Sequence, residues 1–125
     1  MDEAGRIIEA LRLERHPEGG LYRQTWAGPK VAGRASGTAI LFLLAAGERS
    51  HWHRVDAVEI WHFHAGATLI LSLSETDAGP AREIMLGPNV LGGQVPQGIV
   101  PKDWWQAART TGAWSLVGCT VSPGF

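Results

Sequence analysis

The chain reads as an all-β barrel or sandwich with one short helix at its N-terminus, on three observations. Sixteen glycines and seven prolines are spread along 125 residues, which places turn signals at short intervals. Between them lie about nine or ten short segments with strand character. No long helical periods alternate with these segments, as a parallel α/β sheet would require.

Residues 3–13 set Ala4, Ile7, Ile8 and Leu11 at helical spacing and predict one short amphipathic helix. His16-Pro17-Glu18-Gly19-Gly20 ends it, since proline and paired glycines do not continue a helix. Residues 21–26 read as a strand, followed by a Gly/Pro-containing loop to about Gly37. Residues 38–44 are apolar enough for a buried strand. Residues 48–55 and 58–63 form two strands with Asp56 at the turn between them. After Gly66 comes a strand over 67–73 and a polar turn over 74–80. Segments 82–86, 93–100, 104–109 and 114–121 complete the series.

Length and composition bound the function. A chain of 125 residues fits a single domain over 1–125 and can bury a core without disulfides. A formal charge of −1 leaves no basic footprint for nucleic acid or for a membrane surface. The longest apolar run, residues 39–46, is far too short to span a bilayer. Cys119 is the only cysteine, which rules out an internal disulfide and a Cys-rich metal cluster. The N-terminal apolar stretch is interrupted by Arg6, Glu9 and Arg12 and does not read as a signal peptide. A cytoplasmic protein is therefore expected. No GxGxxG or GxxxxGK pattern marks a nucleotide site.

The chemistry concentrates at His51-Trp52-His53, with Glu59 shortly after. Two histidines at i and i+2 of a regular strand project from one face, about 6–7 Å apart. With one carboxylate they make a ligand set for Fe, Mn, Co, Ni or Zn. On the other reading, the same histidines are solvent-side strand residues. His62 and His64 have parity opposite to Glu59 and belong to the outer face unless a bulge intervenes. Trp52 faces away from the histidines that flank it, and Arg54 points outward. Cys119, in an apolar strand with no nucleophilic partner, reads as a buried inert thiol.

Six tryptophans exceed the needs of a small core, so some line a cavity or a subunit contact. Trp61, Phe63 and Trp105 are the candidates for an aromatic wall. Glu18 lies in a Gly-rich turn of the kind that reaches a barrel mouth. Tyr22 and Arg23 alternate on the next strand, and either can line the cavity.

These residues also carry a family pattern. The stretch from Gly47 through His51-Trp52-His53-Arg54, continued by Glu59-Ile60-Trp61-His62-Phe63, resembles the first cupin motif. The stretch from Gly93 through Pro96-Gln97 and Pro101 to Trp105-Gln106 resembles the second. The blocks His16-Pro17-Glu18-Gly19-Gly20, Leu86-Gly87-Pro88-Asn89, Gly118-Cys119-Thr120-Val121 and Pro123-Gly124-Phe125 are similar to those of small single-domain cupins of unassigned function.

The resemblance implies a double-stranded β-helix, the cupin or jelly-roll barrel, paired into a homodimer. It puts the metal ligands at His51, His53, Glu59 and Gln106, where Gln106 replaces the usual histidine. A neutral amide oxygen is a poorer ligand than imidazole. The expected function is a metal-dependent enzyme of isomerase, epimerase, lyase or dioxygenase type, acting on a small polar or cyclic metabolite inside the barrel. The alternative is a metal-free cupin that binds a small molecule without catalysis. Sequence alone assigns no catalytic residue.

Overall fold

The computed structural model describes residues 1–125. Asp2 starts α1 (Glu3–Leu11), its carboxylate accepting the Gly5 N–H at 2.8 Å. Such a cap contributes about 1 kcal/mol. The helix stops two residues before the expected end because Arg12 turns left-handed, with φ 57°. Trp114 Nε1 donates to Glu3 at 2.9 Å and ties the helix to the last strand.

The strands are β1 (Glu14–Arg15), β2 (Leu21–Ala27), β3 (Lys30–Val31), β4 (Arg34–Ala35), β5 (Thr38–Ala45), β6 (Arg49–Arg54), β7 (Val58–Gly66), β8 (Leu69–Ser74), β9 (Arg82–Leu86), β10 (Gln97–Val100), β11 (Trp105–Thr110) and β12 (Trp114–Ser122). The nine expected strands are all present. β1, β3 and β4, two residues each, carry too little pattern to be read from sequence. β10 starts four residues later than expected. Asn89 caps a short 3-10 turn there, and Gly93 leaves that turn with φ 94°.

Six strands form one sheet in the order β1-β2-β5-β12-β7-β10, and four form another in the order β6-β11-β8-β9. All pairings within them are antiparallel. β3 and β4 make a separate hairpin whose loop residues, Ala32 and Gly33, both have positive φ. The two larger sheets share one core. Phe42, Leu44, Trp61, Val117 and Cys119 come from the first, and Leu69, Leu71, Leu73, Leu86 and Ala108 from the second. This is the double-stranded β-helix that the resemblance implies.

Two bulges decide which side chains face the barrel interior. On β6, His53 pairs with Gln106 but Ser50 pairs with Ala108, so two residues of β6 face one of β11. On β7, Phe63 pairs with Val117 and Ala65 with Leu116, which leaves His64 as the extra residue. A bulge of this kind resets side-chain parity at one point of a strand.

Candidate functional site

The barrel opens into a cavity of about 100 Å3 between β2, β5, β6, β7 and β12. His16, Gln24, Thr38, His53, Glu59 and Cys119 are its polar lining, and Tyr22, Ile40, Val121 and Phe125 its apolar walls. A narrower crevice continues inward past Ser50 and Phe42 to Trp61. A single water needs roughly 10–15 Å3 of such space. The cavity therefore suits a small metabolite.

Glu59 forms the floor. It is 6% exposed, held on β7 between strands β10 and β12. Its Oε1 accepts from Gln106 Nε2 at 2.9 Å. Gln106 Oε1 in turn accepts from Trp61 Nε1 at 2.8 Å. Indole N–H only donates, so the amide orientation is settled: oxygen toward Trp61, NH2 toward Glu59. The Cys119 thiol lines the same cavity beside the carboxyl. No buried side-chain N or O atom lacks a partner.

Burial pushes the Glu59 carboxyl above its usual range, opposed by Gln106, by the nearby His53 and by Cys119. Burial and the neighbouring carboxylate push the Cys119 thiol up as well. A carboxyl whose folded pKa is raised contributes most stability below the ordinary value of 4.5. That contribution is lost as pH rises through the folded value. Glu59→Gln is therefore expected to match the parent near pH 4 and to exceed its stability at pH 7–8. The gain should be about 0.5–2 kcal/mol, the usual size of a single stabilising substitution. Urea unfolding at the two pH values checks it.

The histidines take opposite tautomers. His53 Nδ1 lies 2.7 Å from the His51 carbonyl oxygen. That oxygen can only accept, so Nδ1 carries the proton and Nε2 keeps a lone pair. His16 Nδ1 accepts the Glu18 backbone N–H at 3.0 Å, so the proton of its neutral ring is on Nε2. Burial and the nearby His53 hold the His16 pKa down.

The β6 bulge corrects the parity expected for the histidine pair. Ser50 and His53 face the barrel, whereas His51 is exposed and lines neither the cavity nor its crevice. Trp52 is also displaced outward and lines a shallow outer cleft of about 420 Å3 with Trp105. Trp105 thus lies outside the barrel, stacked under Arg54 at 4.8 Å. Arg23 is exposed on the outer side of β2, whereas its neighbour Tyr22 lines the cavity. Trp61 borders the crevice, but Phe63 packs on the core and lines neither space. Glu18 acts through its backbone, its N–H bonding His16 and its carbonyl accepting from His51 N at 2.7 Å. His62 stays on the outer face, bonded to Thr120 and Gln97. His64 lies there too, across Gly118, despite its bulge.

The implied metal set is not assembled by these positions. Gln106 turns its NH2, a donor, toward Glu59, and its oxygen is occupied by Trp61. His51 is on the other side of the strand. No three His, Cys, Asp or Glu side chains come together in a group able to hold a metal ion. The residues present do not fit the three-ligand site that catalytic metals need.

Sequence reasoning put the His16–Gly20 turn near the pocket through Glu18 and not through His16, and it missed Cys119 and Phe125 as cavity residues. A histidine before proline in a Gly-rich turn, and a cysteine at the inward parity of Val117 and Val121, were signals for His16 and Cys119. Phe125 reaches the mouth through tertiary contacts alone. Arg34 Nε donates to the Gly124 carbonyl at 2.7 Å, and its guanidinium pairs with Asp56. Phe125 N donates to Thr38 Oγ1 at 3.0 Å. The Arg34 guanidinium holds the Asp56 carboxyl below its usual range, so the ion pair itself is present above that range and lost as pH falls through the folded value. Arg34→Ala should speed hydrogen exchange at the Phe125 N–H and leave the thermal midpoint nearly unchanged, because the ion pair itself is solvent-exposed.

A family profile described as Cupin superfamily (DUF985) matches residues 5–125. No curated protein matches the chain. Among solved structures, it is similar to protein SO0799 from Shewanella oneidensis, at 39% identity and TM-score 0.92 over 100% of this chain and 80% of that one. A hypothetical protein from Leishmania major is similar at 30% identity and TM-score 0.89, over 99% and 83%. KdgF from Halomonas sp., at 13% identity and TM-score 0.59 over 89% and 86%, shares the fold. With a profile match over nearly its whole length and close structural relatives, this chain belongs to the cupin superfamily, in its DUF985 family.

Proposed function

We propose that this cupin binds a small polar metabolite without a metal and moves a proton on it, with His53 as the base. The cupin superfamily includes metal-dependent enzymes and non-catalytic binders. One observation favours the metal-free reading here: Gln106 is engaged on both sides, by Trp61 and by Glu59. It serves as a brace for a carboxyl rather than as a ligand. His53 Nε2 then offers a lone pair to the cavity, and Glu59 stabilises the imidazolium formed when that nitrogen takes a proton. The apolar walls lower the dielectric on one side of the pair and strengthen their interaction.

Elemental analysis of tag-free protein, before and after incubation with Fe, Mn, Ni, Co or Zn salts, tests the first half. Less than about 0.1 equivalent bound is expected. One equivalent per chain, lost in both His51→Ala and His53→Ala, would overturn the proposal in favour of a metal enzyme. A thermal-shift screen with small hydroxylated and carbonyl metabolites tests the second half. The hits should disappear in His53→Ala. Hits that bind in a His53-dependent way but undergo no proton exchange would reduce the function to binding alone.

A further inference from the structure

We infer that His16 is the hydrogen-bond donor for a substrate carbonyl oxygen, and that the cavity takes an uncharged α-hydroxycarbonyl compound whose α-proton His53 removes. The assignment rests on the acid–base role proposed for His53.

The two rings line one cavity with complementary nitrogens. His16 Nδ1 is committed to the Glu18 N–H, which has no lone pair to offer in return, so Nε2–H is the group left to donate. His53 Nδ1–H is committed to the His51 carbonyl, so Nε2 is the group left to accept. Neither ring can exchange roles without breaking a backbone hydrogen bond. His16 is also held in place by edge contacts to Tyr22 at 4.8 Å and to Phe42 at 5.4 Å between ring centroids. Its donor is thus fixed before a ligand arrives, the condition under which a hydrogen bond to developing charge is most effective. A neutral imidazole that polarises a carbonyl, beside a base that takes the adjacent proton, is a recognised arrangement for enolisation.

The lining also selects by charge. Neither the cavity nor its crevice contains a Lys or Arg, and Glu59 is the one side-chain carboxyl on it. A phosphate or carboxylate would meet no fixed cation and would face the Glu59 carboxyl. An uncharged hydroxyaldehyde or hydroxyketone meets a donor, an acceptor and apolar walls.

The step balances without an external reagent. The C–H bond next to the carbonyl breaks and its proton goes to His53 Nε2. The bonding pair forms a C=C bond, and the carbonyl π pair moves onto the oxygen that His16 Nε2–H holds. Return of the proton to the same carbon restores the substrate. Transfer of the hydroxyl proton to the first oxygen, followed by protonation of its carbon, moves the carbonyl by one position. Nothing is oxidised or reduced overall.

Dihydroxyacetone and glyceraldehyde in D2O, followed by 1H NMR, test this. The protein should accelerate loss of the α-proton signals above the buffer rate. His53→Ala should abolish the acceleration. His16→Asn should lower it about 100-fold, the usual cost of one such donor. The asparagine side-chain oxygen can still accept the Glu18 N–H and preserve the turn. Long-range 1H–15N correlation of the parent protein gives a second readout that needs no activity. His16 should show a protonated Nε2 and His53 a protonated Nδ1 between pH 6 and 8.

Exchange that requires His53 but is unchanged in folded His16→Asn would overturn the role of His16 and leave the base reading intact. The reversed tautomer at His16 would do the same. No exchange above buffer with either probe would overturn the substrate class, and the His53-dependent hits of the thermal screen would then still uphold the binding reading. Exchange that persists in His53→Ala would sink both.

Discussion

Gln106→Leu is expected to lower unfolding free energy at pH 7 by about 3–5 kcal/mol, because it orphans two buried groups at once. Gln106 is fully buried and is the partner of both Trp61 Nε1 and Glu59 Oε1. Each donor or acceptor left unpaired in a core costs about 1–3 kcal/mol, and an ionised one costs more. Leucine fills the space but restores neither bond. The loss should shrink near pH 4, where Glu59 is protonated and no charge is stranded. Urea unfolding of parent and variant at both pH values measures it. A variant as stable as the parent at pH 7 would show that the Trp61–Gln106–Glu59 chain does not support the cavity floor.

Gly20→Ala is expected to cost about 2–5 kcal/mol and to disorganise the cavity mouth. Gly20 has φ +84°, where a side chain alone costs roughly 1–2 kcal/mol. A Cβ there would come within 2.7 Å of Phe42 Cζ and 2.9 Å of Leu44 Cδ2, two buried side chains of the core. Overpacking of this kind adds about 1–3 kcal/mol. The neighbour is no more tolerant: Gly19 has φ +103°, and a Cβ there would run into the Arg49 carbonyl oxygen. The same turn holds His16 through the Glu18 N–H and meets β6 through the Glu18 carbonyl. Thermal unfolding measures the cost. The His16 ring 15N signals report whether the tautomer survives in whatever folded fraction remains. An alanine variant with parental stability and an unchanged His16 would contradict the rigid role given to this turn.

These two positions show how unevenly the site is written in the chain. The strand pattern was legible because a buried face repeats every second residue. Leu69, Leu71 and Leu73 on β8, or Val117, Cys119 and Val121 on β12, repeat in this way. Glu59 and His53 were legible as cavity residues, through motif and parity. His51 was not, because its place depends on one extra residue in β6. A bulge arises from the fit between paired strands and leaves no mark in either strand read alone. Trp105 went astray for a related reason. Its large aromatic side chain suits a cavity wall as well as an outer face stacked by Arg54.

By itself, the sequence determined the barrel class, the order of its main strands and the location of the polar cavity at His53 and Glu59. Those depend on local pattern, turn chemistry and spacing, all of which are properties of neighbours along the chain. Only the tertiary structure decided that Gln106 bonds Trp61 on one side and Glu59 on the other. It alone decided that His16 and His53 line one cavity, and that Phe125 lies at its rim. Hydrogen-bond direction and side-chain face depend on the partner across the fold. For Gln106 and Phe125 those partners lie 45 to 87 residues away, beyond the reach of any local pattern.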